Sequence, residues 1–153
     1  MNSLLLRATL IGSAIAIATA TVPLAGGHSP VEKREAAMKE VSKSAKVLGE
    51  MVKGETAFEA AAANEALASM AAAVTDFGTY FPEGTALAGE NENAAGEAIW
   101  TDRAGFDAAI SAFQQDIAAA VEAAPQTKDA LTASFGEVAQ NCKSCHEDYR
   151  VKK

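Results

Sequence analysis

The chain has 153 residues, 49% hydrophobic but only 6% aromatic, at a mean hydropathy of +0.02. Alanine fills that gap, which favours helices packed through small side chains over a β-sandwich, in one domain long enough to bury a core. A net charge of −7 and a 22% charged fraction exclude a broad basic face for nucleic acid and wholesale disorder.

Residues 1–27 read as a signal peptide. Arg7 carries the only charge there, and residues 8–20 form an apolar run of the expected length. Ala18-Thr19-Ala20 offers an A-x-A cleavage site near residue 20, and Pro23-Leu24-Ala25 a second near residue 25. A membrane anchor fits less well. Residues 8–25 only just reach the roughly 18 that a span needs, and Thr, Ser, Gly and Pro interrupt them. Export to a bacterial periplasm is expected, and the loss of Arg7 takes the mature net charge to −8.

Four amphipathic segments follow within residues 28–153. The first opens on Ser29-Pro30-Val31-Glu32: a cap serine, proline at the first helical position and glutamate three after the cap, which is a capping box. Val31, Arg34, Met38, Val41, Ala45, Leu48 and Val52 recur at steps of three and four, and Gly54 ends the run. The second starts on another capping-box pattern, Thr56-Ala57-Phe58-Glu59. Its seam is Leu67, Met70, Val74, Phe77 and Phe81, stopped by Gly78 and Pro82. Residues 82–97, rich in Gly, Glu and Asn, form the one long crossover. The third segment spans about 101–124, with Phe106, Ile110, Phe113, Ile117 and Val121 inward and Pro125 after it. The fourth carries Leu131, Phe135, Val138, Cys142, Cys145 and Tyr149 on one stripe. No segment alternates with the period of a strand, so an all-α antiparallel four-helix bundle with one longer crossover is expected.

The chemistry lies near the C-terminus, in Cys142-Lys143-Ser144-Cys145-His146. The chain has only two cysteines, and they form C-x-x-C-H, the pattern of covalent haem attachment. Residues three apart share a helix face, so both thiols can add to the vinyl groups of one porphyrin. His146 can then present a ring nitrogen to the iron. A thioredoxin-like pair would need a strand before it, and no strand pattern is present. A zinc site needs about four ligands, and beyond this trio only His28 remains. A plain disulfide suits an exported chain but leaves His146 unexplained.

Arg34 occupies a seam position, where an unpaired guanidinium would be costly to bury. A haem offers two propionates that it could pair bidentately, whereas a snorkelling arginine at a helix end is the plainer alternative. Trp100 and Phe106 read first as core residues and second as pocket residues. Arg150 reads from spacing alone as a solvated helix end.

With these residues the chain resembles the class II cytochromes c, the cytochrome c′ family and its low-spin relatives; class I cytochromes carry the motif near the N-terminus instead. The likeness runs from Arg34…Met38-Lys39 through Val47-Leu48-Gly49…Val52-Lys53-Gly54-Glu55, Phe81-Pro82 and Ile99-Trp100 with Phe106 to Cys142–Arg150. The terminal motif is highly specific, and each earlier match is weak. The resemblance implies one covalent haem c in a periplasmic, often dimeric protein with His146 as proximal ligand. It also implies a propionate near Arg34, and Arg150 packed beside the proximal imidazole.

Two functions follow, separated at the sixth iron position. A second protein ligand gives a low-spin electron carrier that serves redox partner proteins. An open position gives a five-coordinate haem that binds nitric oxide or carbon monoxide, as the resemblance to cytochrome c′ implies. No nucleophile–base pair accompanies the motif, so an enzyme acting on an organic substrate is not expected. The sequence favours the first, with Met38 as sixth ligand. His146 lies roughly 10 Å from its end of the bundle and Met38 roughly 13 Å from the same end, at 1.5 Å of rise per residue. Met51 is near the opposite end of its helix. Met70 is at a compatible height but lacks an arginine one turn away, as Met38 has in Arg34. Low-spin relatives ligate through a methionine matching Met38, whereas some five-coordinate members keep one there as a distal wall. The stretch 47–55 resembles the low-spin branch, though a seam methionine is commonly core filler.

Overall fold

A computed structural model describes residues 29–85 and 95–151. The signal-peptide expectation, His28 and most of the crossover lie outside the described residues. The described helices are α1 (Pro30–Lys53), α2 (Ala60–Val74), a 3-10 turn (Phe77–Tyr80), α3 (Ala98–Thr101), α4 (Arg103–Ala123) and α5 (Lys128–Tyr149). The only β pairing among the described residues is an isolated antiparallel bridge from Ala95 to Arg150. No helix among them is long and apolar enough to cross a membrane.

The capping box of α1 forms as its sequence dictates: Ser29 Oγ accepts from Glu32 N at 3.2 Å, and Ser29 N donates to Glu32 Oε2 at 2.7 Å. Gly54, at φ 78°, ends α1 in the left-handed region, which glycine enters without a Cβ penalty. The second capping box does not form. The backbone N–H groups of both Glu55 and Thr56 donate to Glu50 O, which completes the end of α1, and α2 begins only at Ala60 with no side-chain cap. One stretch cannot close one helix and cap the next.

The four long helices pack as a square, α1 on α2, α2 on α4, α4 on α5 and α5 on α1. The start of α1, the turn after α2, the start of α4 and the end of α5 meet at one end, so neighbours run antiparallel. Leu48, Leu67, Ile117, Leu131 and Val138 are fully enclosed. Each such side chain contributes on the order of 1.5–3 kcal/mol by leaving water.

The buried stripe of α1 differs from the expected seam. It runs Arg34, Ala37, Val41, Ser44, Leu48 and Met51, with Met38, Ala45 and Val52 half-buried beside it. Small Ala37 and Ser44 let the neighbouring backbones approach, so close contact rather than side-chain size selects the inner stripe. Segment two also ends earlier than expected. α2 stops at Val74, its last carbonyls held by Gln114 Nε2 at 2.7 Å (Val74 O) and 3.1 Å (Thr75 O). The 3-10 turn then delivers Phe77 and Phe81 into the core.

Segment three forms as α4, started by Asp102, whose Oδ1 accepts from Gly105 N at 3.2 Å, and the one-turn α3 precedes it. Val121, expected inward, is 37% exposed because α4 ends two residues later, past the packed stripe of Phe106, Ile110, Ile117 and Ala120.

Candidate haem site

α5 begins where Thr127 Oγ1 accepts from Ala130 N at 3.2 Å, and runs unbroken through the cysteine motif. Cys142 and Cys145 are free thiols, both half-buried, on the side of α5 that Val138 and Tyr149 bury. Burial pushes both thiols above their ordinary value, and the neighbouring Cys142 and Asp148 add to the effect at Cys145. His146 follows at the surface. Partial desolvation, then the charge of Arg150, lowers its pKa. Arg150 Nη1 stands 3.4 Å from His146 Nδ1. The imidazole is therefore neutral near neutral pH and keeps a lone pair for a metal. Two neutral thiols on one face beside a neutral imidazole make a donor set that fits covalent haem. Arg150 lies against the imidazole, half-buried, and is not the solvated helix end that its spacing alone suggests.

Arg34 is 7% exposed. Its Nε donates to Tyr80 O at 2.6 Å and its Nη1 to Thr85 O at 3.0 Å, while Nη2 donates to Thr85 Oγ1. The guanidinium also lies over Phe81, 4.2 Å from the ring centroid, and 5.6 Å from that of Trp100. It is a buried side chain, not a snorkelling one. Its partners here are carbonyls and a hydroxyl at the entry to the crossover, groups some fifty residues away that no local pattern announces.

Phe81 packs edge-on against Phe106 at 4.8 Å, and Phe106 against Tyr149 at 5.2 Å. An aromatic chain thus links Arg34 on α1 to the last turn of α5. Phe106 is a core residue, 2% exposed. Trp100 is half-buried, and its Nε1 donates to Pro82 O at 3.1 Å. Met38 stands one turn beyond Arg34, half-buried against the core. Met70 is wholly enclosed within α2's buried stripe, which suits core filling.

Residues that the motifs did not single out complete this end. Arg103 Nη1 donates to Phe81 O and Nη2 to Gly78 O, both at 3.1 Å, so a second arginine grips the turn that Arg34 holds. Tyr149 OH donates to Asp102 Oδ2 at 3.1 Å. Burial and that carboxylate push the phenol above its ordinary value. Tyr149 is legible as a member of the inward stripe and Asp102 as an acidic cap three residues before Gly105, but nothing in the sequence pairs them or marks Arg103.

The family model described as "Cytochrome C'" matches residues 29–150. The chain belongs to the cytochrome c′ family. A cytochrome c′ of Cereibacter sphaeroides is 35% identical over 150 residues, covering 97% of this chain and 100% of that protein. A cytochrome c-556 of Agrobacterium fabrum is 32% identical over 123 residues, covering 80% and 82%. Among solved structures, a cytochrome c′ from Rhodobacter spheroides superposes with a TM-score of 0.74 at 35% identity, covering 81% of this chain and 96% of the other. A nitric oxide complex of a point mutant of cytochrome c prime from Alcaligenes xylosoxidans gives 0.70 at 29%, covering 80% and 94%. Cytochrome c′ proteins bind one covalently attached haem c and act as electron carriers or gas binders in a helical bundle.

Proposed function

We propose that Cys142 and Cys145 carry the haem, that His146 is its proximal iron ligand, and that the sixth position is open to nitric oxide or carbon monoxide. The bound haem supplies an iron that takes up a diatomic ligand or changes oxidation state. The observation that carries the reading is the donor set on the last turns of α5, two half-buried thiols on one face with the imidazole of His146 directly after them. The open sixth position departs from the His146/Met38 ligation that the sequence favours. Its support is the name cytochrome c′ on a relative spanning almost the whole chain, and a solved nitric oxide complex in the same fold. Met38, packed against the core, then serves as a distal wall. Arg34 uses three of its five N–H groups within the chain, and the others are donors for a propionate.

Reduced wild-type protein is expected to be high-spin and to bind carbon monoxide. Met38→Ala should keep that spin state and take up the gas faster. Visible spectra of oxidised, reduced and carbon monoxide-treated protein check both. The c-556 relatives and the stretch 47–55 favour the second reading, a low-spin His146/Met38 carrier. In that case the wild type refuses carbon monoxide and Met38→Ala converts it to high-spin.

Export to the periplasm and a homodimer belong to the same proposal. The surface proposed for the second copy is an open groove of about 570 Å3 between α1 and α2, where Ala36, Ala37, Ala72 and Ala73 lie beside Glu32, Lys33, Glu40, Ser69 and Tyr80. Docking to a redox partner is proposed at the haem-bearing end. Residues 30–53 hold six basic and four acidic side chains, and 141–153 four and two, against two and fourteen in 54–140. Arg34 is inside, however, and Lys43, Lys46 and Lys53 lie within 3.8 Å of Glu40, Glu50 and Glu55, so the outward positive field is weaker than the count. Electron transfer with an acidic partner should slow only moderately as salt rises. Stopped-flow rates across an ionic-strength series check it, and rates that do not fall count against this surface.

A further inference from the structure

We infer that Tyr149 is a positioning residue for the haem-bearing turn of α5, locked to Asp102 in a contact that Gly105 leaves room for. The inference rests on the reading that Cys142, Cys145 and His146 hold the haem.

The need for such an anchor comes from the helix end. The last four carbonyls of a helix lack intrahelical donors, and its final turn frays unless something caps it. α1 and α4 end on left-handed caps, at Gly54 and Ala124. α5 does not: Arg150 leaves it in extended backbone, φ −101° and ψ 155°. His146 sits in this last turn, so fraying here would swing the imidazole.

Tertiary contacts replace the missing cap. Gly96 N donates to Tyr149 O at 2.8 Å, and the next residue, Arg150, bridges to Ala95. The Tyr149 ring is clamped edge-on by Phe106, and its hydroxyl reaches Asp102 Oδ2. Asp102 is shared: its other oxygen caps α4 through Gly105 N. One carboxylate therefore ties the start of α4 to the end of α5.

Both contact points are glycines. A Cβ on Gly105 would stand 2.6 Å from the Tyr149 hydroxyl and collide with the Asp102 carboxylate. A Cβ on Gly96 would stand 3.0 Å from Tyr149 O, against backbone that cannot swing aside. The approach is thus open only while these two positions lack a side chain, and Tyr149 is held at 8% exposure although it is the helix's last residue.

The test uses the haem-loaded full chain. Tyr149→Phe removes one hydroxyl and keeps the ring; Gly105→Ala parts the same pair while leaving both partners intact. Gln114→Ala, which uncaps α2, reports plain loss of stability. Tyr149→Phe and Gly105→Ala should retain the covalent haem and broaden the iron–histidine stretching band of the reduced protein. They should also change carbon monoxide release by about two- to tenfold, below the roughly 10–100-fold seen when a direct partner of a metal-bound histidine is lost. Gln114→Ala should lower Tm and move neither haem signal. A Tyr149→Phe protein that only loses stability, as Gln114→Ala does, overturns the positioning role. If Gly105→Ala does not fold, Tyr149→Phe decides alone. A low-spin wild type that refuses carbon monoxide overturns the open-site reading instead. The midpoint potential then becomes the readout, which Tyr149→Phe must shift and Gln114→Ala must not if the inference is to stand.

Discussion

Replacing both Cys142 and Cys145 by serine should yield a folded chain that holds no haem through acid–organic extraction, whereas the wild type leaves that treatment coloured and heavier by one haem. The effect would be all or none because the Cys142 and Cys145 thiols would be the only groups holding the porphyrin covalently, each through a thioether that needs no oxidant to form. A serine hydroxyl is far too weak a nucleophile to do the same. Either single variant keeps one thioether, so its haem should stay bound while its spectrum shifts. Both sites are half-buried, so exchanging sulfur for oxygen costs only about 1 kcal/mol of stability. Intact-mass measurement after extraction decides the outcome. Recovery of the bare polypeptide mass from the wild type would show that the motif does not attach haem.

Arg34→Ala should be the most damaging single change at this end of the bundle, lowering unfolding stability by about 3–5 kcal/mol. Three charge-assisted hydrogen bonds disappear together, to Tyr80 O, Thr85 O and Thr85 Oγ1. Each is worth about 1.5–3 kcal/mol in favourable settings, though they are not additive, and the abandoned carbonyls must find water. The stacking over Phe81 adds about 1 kcal/mol and is lost as well. Burial pulls the guanidinium below its ordinary value, but an arginine remains charged throughout the accessible range, so the loss should be the same at pH 5 and pH 8. Arg34→Lys should recover only a part, since one ammonium cannot span three acceptors that a planar fork reaches. Urea unfolding of the haem-free chain measures all of this. A loss below about 1 kcal/mol would mean that the turn after α2 holds itself.

Arg34 shows where sequence reading stops. Its seam position marks it as a buried charge in need of partners, and it is buried. The sequence suggests a haem propionate as its partner but gives no sign of Tyr80 and Thr85, 46 and 51 residues away, which the folded chain also brings to it. Thr56 gives the complementary lesson. Its pattern with Glu59 is a sound capping box, yet the residue is consumed in closing α1. Competition between two adjacent helix ends decided it, and a four-residue pattern carries no record of its neighbour's needs.

The sequence by itself determined the four long helices, the Ser29 cap, the Gly54 stop, and a thiol pair on one face of α5 with a histidine directly after it. All of these depend on relations within one or two helical turns, where a rise of about 1.5 Å and a turn of about 3.6 residues leave little freedom. Only the tertiary structure decided which stripe of α1 faces inward and that Val121 is outside. It also brought two arginines to one turn and made Asp102 receive Tyr149 across 47 residues. Those outcomes depend on how closely backbones approach and on which buried polar groups remain to be satisfied, and both are settled only when the helices pack together.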